Sequence, residues 1–202
     1  LKLAYAYVIQ SKPDKLKECL DIIQEVDLPE KMRISFVALR GIYMGFENKT
    51  DEAIQMMEDY ISTLEDINDP GFFIKLGFLH NSLGVMYHRQ RDLEQANKHF
   101  LTAAKIWEQI NYRRRLCSVY NNIGDVAITR GDTQTAFSYF DKAFEICMQI
   151  DCKRGLTLNY LNQGQAYIKL GHFDIAEYTL EKAMNESMRL ENKPFLESIV
   201  IN

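Results

Sequence analysis

The chain has 202 residues, 47% of them apolar and 26% charged, and a net charge of −4. This is the composition of an ordinary globular chain, and a charge so small does not point to a nucleic-acid partner. No apolar run approaches the roughly 18 residues of a membrane span, and the opening LKLAYAYVIQ is too short and too polar for a signal peptide.

Along the chain the pattern starts faintly and sharpens. Residues 1–28 carry Ala4, Leu16, Leu20 and Ile23. Residues 29–69 carry Gly41, Ala53, Met57 and Tyr60 at the same later offsets of 12, 16 and 19. Residues 70–111 give Gly84, Ala96, Phe100 and Ala103. Residues 112–151 give Gly124, Ala136, Phe140 and Ala143, and residues 152–191 give Gly164, Ala176, Leu180 and Ala183. The last three glycines stand 40 residues apart, whereas 43 separate Gly41 from Gly84, so a three-residue insertion is expected around Asp69-Pro70-Gly71. Asn202 falls 40 residues after Asn162, which makes 192–202 the start of a further helix. Four columns in register mark a repeat array, read as a single solenoid over 1–202. The array opens and closes in mid-pattern and does not begin with Met, so the expectation is a segment of a longer protein.

Each repeat reads as two helices. Leu79, Leu83, Met86 and Tyr87 recur at helical spacing before a break, and Leu93, Ala96, Phe100 and Ala103 after it. Gly131 and Gly171 are stop signals, and Asp92 and Asp132 are N-cap candidates. First helices are expected near 71–90, 113–130 and 153–170, second helices near 93–110, 133–150 and 173–190. The four prolines, Pro13, Pro29, Pro70 and Pro194, all fall at helix starts, where the missing N–H costs nothing. A mid-helix glycine costs about 1 kcal/mol relative to alanine. Gly84, with Ala96 and Ala103, is expected to let the two antiparallel helices approach closely. Phe100 and its equivalents are expected to fill the gap to the next repeat.

The charge is uneven. Residues 1–70 hold 8 Lys+Arg against 14 Asp+Glu, and residues 71–202 hold 16 against 14. An acidic solvated face on the early helices accounts for this, with an acidic docking face as the alternative. The four cysteines form no CxxC pair. Cys117 opens one expected helix and Cys147 closes its antiparallel neighbour, which can bring them close. Free buried thiols are the expectation, and they favour a reducing, cytoplasmic compartment. The chain has no Gly-rich phosphate loop, HExxH or GxSxG, so neither a catalytic residue nor a cofactor is assigned. His80, His88, His99 and His172 are scattered. His80 and His88 share a helical face, but no third ligand has metal-binding spacing. Arg113-Arg114-Arg115 is the one basic cluster, at a loop-to-helix junction, and reads as solvated charge.

The columns Gly84/Tyr87/Ala96/Phe100/Ala103, Gly124/Ala136/Phe140/Ala143 and Gly164/Tyr167/Ala176/Leu180/Ala183 resemble the tetratricopeptide repeat. The period of 40 is longer than the common 34, and the closing proline is missing from its usual place. SVYNNIGDVAITRGDTQTAFSYFDKAF and QIDCKRGLTLNYLNQGQAYIKLGHFDIAEYTLEKA resemble kinesin-light-chain arrays and the regulatory parts of bacterial signalling proteins. The resemblance implies an all-α array of antiparallel helix-turn-helix repeats in a right-handed superhelix. It implies a non-catalytic module whose first helices line a concave, peptide-binding groove.

On those first helices polar residues repeat. Asn81 and Asn121 share one column; Asn122 and Asn162 share the next. A side-chain amide offers a donor and an acceptor, matching a peptide backbone of any sequence. Bridging between neighbouring helices is the alternative use. The same face adds Val85, His88 and Arg89, then Asp125 and Thr129, then Leu158, Gln165 and Lys169. The positions where chaperone-binding arrays clamp a C-terminal carboxylate hold Asn81, Val85, Asn122, Leu158 and Asn162. Of these only Asn122 fits, so a carboxylate clamp is not expected. The expected partner is a protein or peptide, with no nucleic acid and no membrane insertion. Two rival readings are the sensory region of a signalling enzyme, such as a cyclase or histidine kinase, and an oligomerisation module that pairs through the array ends.

Overall fold

The structure is a computed structural model that describes residues 1–24, 27–64 and 70–189. The described residues form ten α-helices and no strand. They fall into two compact units, Leu1–Ile110 and Asn111–Asn202.

The first unit holds α1 (Lys2–Ile9), α2 (Pro13–Gln24), α3 (Glu30–Phe46), α4 (Thr50–Ser62), α5 (Pro70–Arg89) and α6 (Leu93–Gln109). The second holds α7 (Arg113–Arg130), α8 (Thr133–Gln149), α9 (Lys153–Lys169) and α10 (Phe173–Arg189). Successive helices pair as hairpins: α1 with α2, α3 with α4, α5 with α6, α7 with α8, and α9 with α10. First helices also meet one another, α1 with α3, α3 with α5, and α7 with α9. The helix limits from residue 70 onwards agree with the sequence expectation to within one residue. Pro13 and Pro70 are first helical residues and Pro29 is an N-cap. Pro194, the expected helix at 192–202 and Asp69 of the three-residue insertion expected around Asp69-Pro70-Gly71 lie outside the described residues, whereas Pro70 and Gly71 open α5.

The hairpin turns show why the helices stop where they do. Ser11, Asn48, Arg91, Gly131 and Gly171 occupy the same place in their repeats, and all five have positive φ, from 51° to 84°. Asp92 and Asp132 follow, and their carboxylates accept from the backbone N–H of Gln95 at 3.0 Å and of Thr135 at 3.1 Å. The Thr135 hydroxyl and then its backbone N–H hold the Asp132 carboxyl below the usual carboxylate range. Each cap satisfies an N–H that the helix itself leaves unpaired.

Packing within a repeat turns on the column glycine. A Cβ on Gly84 would stand 2.5 Å from the Phe100 ring, and Met57, Phe140 and Leu180 sit as tightly over Gly41, Gly124 and Gly164. The large residue thus lies on the glycine of its own repeat, not only in the gap to the next. Phe140 does both, since its buried cluster also takes in Ala127, Ile128 and Ala136 of its own repeat and Ala166 of α9.

A second interlock closes the open end of the α5–α6 and α7–α8 hairpins. Trp107, 1% exposed, lies over Gly77 and donates its indole N–H to the Ile74 carbonyl at 3.2 Å. Forty residues on, the same two positions are Cys117 and Cys147, joined as a disulfide with Cα atoms 6.1 Å apart. Forty further, they are Thr157 and Ser187, both fully buried. The disulfide corrects the expectation of free thiols at Cys117 and Cys147, and with it the argument for a reducing compartment. Helical spacing places two cysteines near each other but does not say whether they bond.

Phe140→Ala is expected to cost about 3–5 kcal/mol in urea unfolding, as a buried aromatic leaves a cavity. At the turns, Gly131→Ala is expected to lose about 1–2 kcal/mol and Arg91→Gly to gain a similar amount, because only glycine enters the left-handed region without steric cost. Equal effects of one sign from both turn variants would contradict this account.

Candidate functional site

In the second unit, α7 and α9 lie side by side and carry polar residues in a 40-residue register: Asn122 with Asn162, Asp125 with Gln165, Thr129 with Lys169. Offsets of three and four along a helix put each set on one face. All but the exposed Lys169 are half-buried, as is Leu158, one turn before Asn162. The Lys169 ammonium reaches back to the Asp125 carboxylate at 3.8 Å and the Thr129 hydroxyl at 3.5 Å, tying the two helices across this face. The pair is solvent-exposed, so it fixes position more than it stabilises, at about 0–1 kcal/mol. The side chains of Asn162 and Gln165 are engaged by no hydrogen bond among the described residues.

Asn121 is placed differently. It is 3% exposed, and its Oδ1 accepts from Asn159 Nδ2 at 2.8 Å. The same Asn159 amide donates to the Phe140 carbonyl at 2.8 Å, and its own Oδ1 accepts from Gln163 Nε2 at 2.9 Å. Asn121 therefore bridges helices and is withdrawn from the exposed face, because one residue of helix is a rotation of about 100°. Its Nδ2 is buried with no hydrogen-bond partner. Asn159 escaped the sequence reading, although a signal was there. Leu79 and Val119 precede it in its column, so an amide stands where two apolar residues are fully buried.

The first unit holds the remaining named residues, all on α5. Asn81, Val85 and His88 are half-buried and Arg89 is exposed. Arg89 lies over α3, with its guanidinium 3.0 Å from where a Cβ on Gly45 would stand. The sequence also missed a polar group around the buried His99 in this unit, because it joins three helices. Tyr87 of α5 donates to Glu58 of α4 at 2.5 Å, and His99 of α6 sits 3.9 Å from the same carboxylate oxygen. His99 Nδ1 meets His80 Nδ1 at 3.0 Å, one as donor and the other as acceptor, and the His99 ring is stacked between Tyr87 and His80. Burial drives the His80 pKa down to about 4, helped by His99 and Lys98, and burial also lowers that of His99 against the pull of Glu58. Of the Arg113-Arg114-Arg115 cluster, Arg113 donates to Gln149 at the end of α8.

No three His, Cys, Asp or Glu side chains among the described residues could hold a metal ion, and none of the described helices is long and apolar enough to cross a membrane. A shallow cavity of about 430 Å³ on α9 and α10 is lined by Ile168, Phe173, Leu180 and Met184, with Glu177 and Glu181 at its edge.

Residues 76–149 and 115–185 match a family model described as tetratricopeptide repeat. No protein of curated function matches the chain. Among solved structures, the chain is similar to a signal transduction ATPase with numerous domains and a tetratricopeptide repeat sensor from Pyrococcus horikoshii. The TM-score is 0.76 at 16% identity, over 98% of this chain and 30% of that one. Aspartyl phosphate phosphatase F from Bacillus subtilis gives 0.72 at 17%, over 97% and 51%. Kinesin-light-chain-like repeats from Podosopora anserina give 0.64 at 15%, over 94% and 93%.

Two measurements test these polar groups. Both histidines have folded pKa values below the unfolded 6.5, so the unfolded state binds more protons in acid. Their contribution to stability is complete above pH 6.5 and is lost as pH falls towards about 4. Thermal melts from pH 7.5 to 4.5 should therefore show a falling Tm, and His80→Gln should flatten that limb. In the second unit, Asn159→Ala should cost about 1–3 kcal/mol, since it leaves buried acceptors unpaired.

Proposed function

The chain belongs to the tetratricopeptide repeat family, and from that premise we propose that it is a non-catalytic scaffold binding an extended peptide or protein segment along its first helices. Repeats of this family are protein-interaction scaffolds, typically without catalysis of their own. The observation that carries the finer reading is the register of α7 and α9. Asn122 and Asn162 recur at the 40-residue step on a half-exposed face, and among the described residues the Asn162 and Gln165 amides are committed to no side chain or backbone group. A side-chain amide carries both the donor and the acceptor that a peptide backbone needs, and Asn122 and Asn162 place one in each of two successive repeats. Asp125 and Lys169 add charge of both signs beside them, and Asn81, His88 and Arg89 offer a comparable surface on α5.

A phage-displayed library of linear peptides, selected on residues 1–202, supplies the probe. Asn122→Ala and Asn162→Ala are each expected to weaken the selected peptide by about 1–3 kcal/mol in calorimetry, with unchanged melting. Asn121→Ala should lower Tm and leave affinity alone. Unchanged affinity in both groove variants overturns the reading.

The structural neighbours favour a second reading. The chain spans only 30% of the Pyrococcus horikoshii ATPase whose repeats are a sensor. On that reading the array is the sensory part of a larger signalling protein such as a cyclase or kinase. A catalytic domain in the flanking sequence, with activity changed by the selected peptide, would decide for it.

A further inference from the structure

Three sulfurs meet where α8 gives way to α9. Cys147 lies in the last turn of α8, Cys152 is the N-cap of α9, and Cys117 lies in the second turn of α7. The point where a Cβ on Gly155 would stand is within 3.2 Å of all three Sγ atoms. Glycine at 155 is what leaves room for them. The backbone draws two of the three together: the Cys152 N–H donates to the Cys147 carbonyl at 2.8 Å, across a turn in which Asp151 has a φ of 49°. Cys117 and Cys147 are bonded and almost fully buried, while Cys152 keeps its thiol and is half-buried. The peptide-binding face uses none of them.

We propose that this cluster is a thiol–disulfide exchange site with Cys152 as its nucleophile. The Cys152 thiol loses its proton, and its sulfur attacks Cys147 Sγ. A Cys147–Cys152 bond forms as the Cys117–Cys147 bond breaks, and the electron pair of the broken bond leaves on Cys117 Sγ. Cys117 takes up a proton in place of the one Cys152 gave up. Nothing is oxidised or reduced overall, so no outside reagent is needed. Cys147 is the sulfur attacked because the turn ties its backbone to that of Cys152 and both sulfurs face Gly155. The two isomers fasten different elements: one ties α7 to α8, the other closes the turn between α8 and α9 and frees α7 at its start.

The test uses the 202-residue chain, oxidised, dilute and free of added thiol, held at pH 8. After an acid quench, free thiols are blocked with N-ethylmaleimide and the digest is mapped by mass spectrometry. Cys19, in the other unit, is the reference for labelling. The expected result is both disulfides, with the label divided between Cys152 and Cys117 and at least a tenth of molecules in the Cys147–Cys152 form. Cys152→Ser should leave Cys117–Cys147 alone. Cys117→Ser, oxidised with glutathione disulfide, should form Cys147–Cys152 in most molecules. Label confined to Cys152 in the wild-type chain overturns the proposal. So does label on all three cysteines, or a Cys117→Ser chain in which Cys147 and Cys152 both stay free.

Discussion

Everything in this chain depends on how closely two helices of a repeat can approach. Gly41, Gly84, Gly124 and Gly164 are mid-helix glycines that helix propensity alone would disfavour. Each is covered by the large side chain sixteen residues later, so tightly that a Cβ would overlap it. The helix gives up a little intrinsic stability, and the hairpin gains a buried aromatic or aliphatic side chain in return. Once that distance is set, Ala96, Ala103, Ala136, Ala143, Ala176 and Ala183 are the sizes that fit, and all are buried to 2% or less. First helices then fall next to one another, and that adjacency aligns Asn122 with Asn162.

What the sequence made legible follows from the same regularity. Helix limits, caps and the left-handed turns at Gly131 and Gly171 could be read because they obey local rules and repeat. Arg91 at the equivalent turn shows that register overrides residue preference. The parts that stayed hidden are those that break the repeat. The Trp107–Gly77 contact, the Cys117–Cys147 bond and the Thr157–Ser187 pair fill one slot in three unrelated ways, and no column reveals a slot whose occupants share no chemistry. The Glu58–His99–His80 group needs three helices to assemble.

The candidate face was partly legible for a geometric reason. Adjacent residues on a helix point about 100° apart, so assigning two neighbouring asparagines to one groove was bound to misplace one of them. Asn122 stays at the half-exposed face and Asn121 turns inward to Asn159. On α7 the two neighbouring asparagines thus differ: Asn121 bridges to α9, and Asn122 remains half-exposed.

The bond between Cys117 and Cys147 also bears on how the chain carries load. A pull on its ends enters α7 near its start and leaves α8 near its end, the two points the disulfide joins. Tension then runs through sulfur and bypasses the hairpin between them. With the two cysteines 30 positions apart in sequence, about 10 nm of extended chain would be withheld from stretching at roughly 3.3–3.6 Å per residue, and reducing the bond would release that length. The repeats that carry Trp107 or Thr157 and Ser187 at these positions have no such covalent bypass among the described residues.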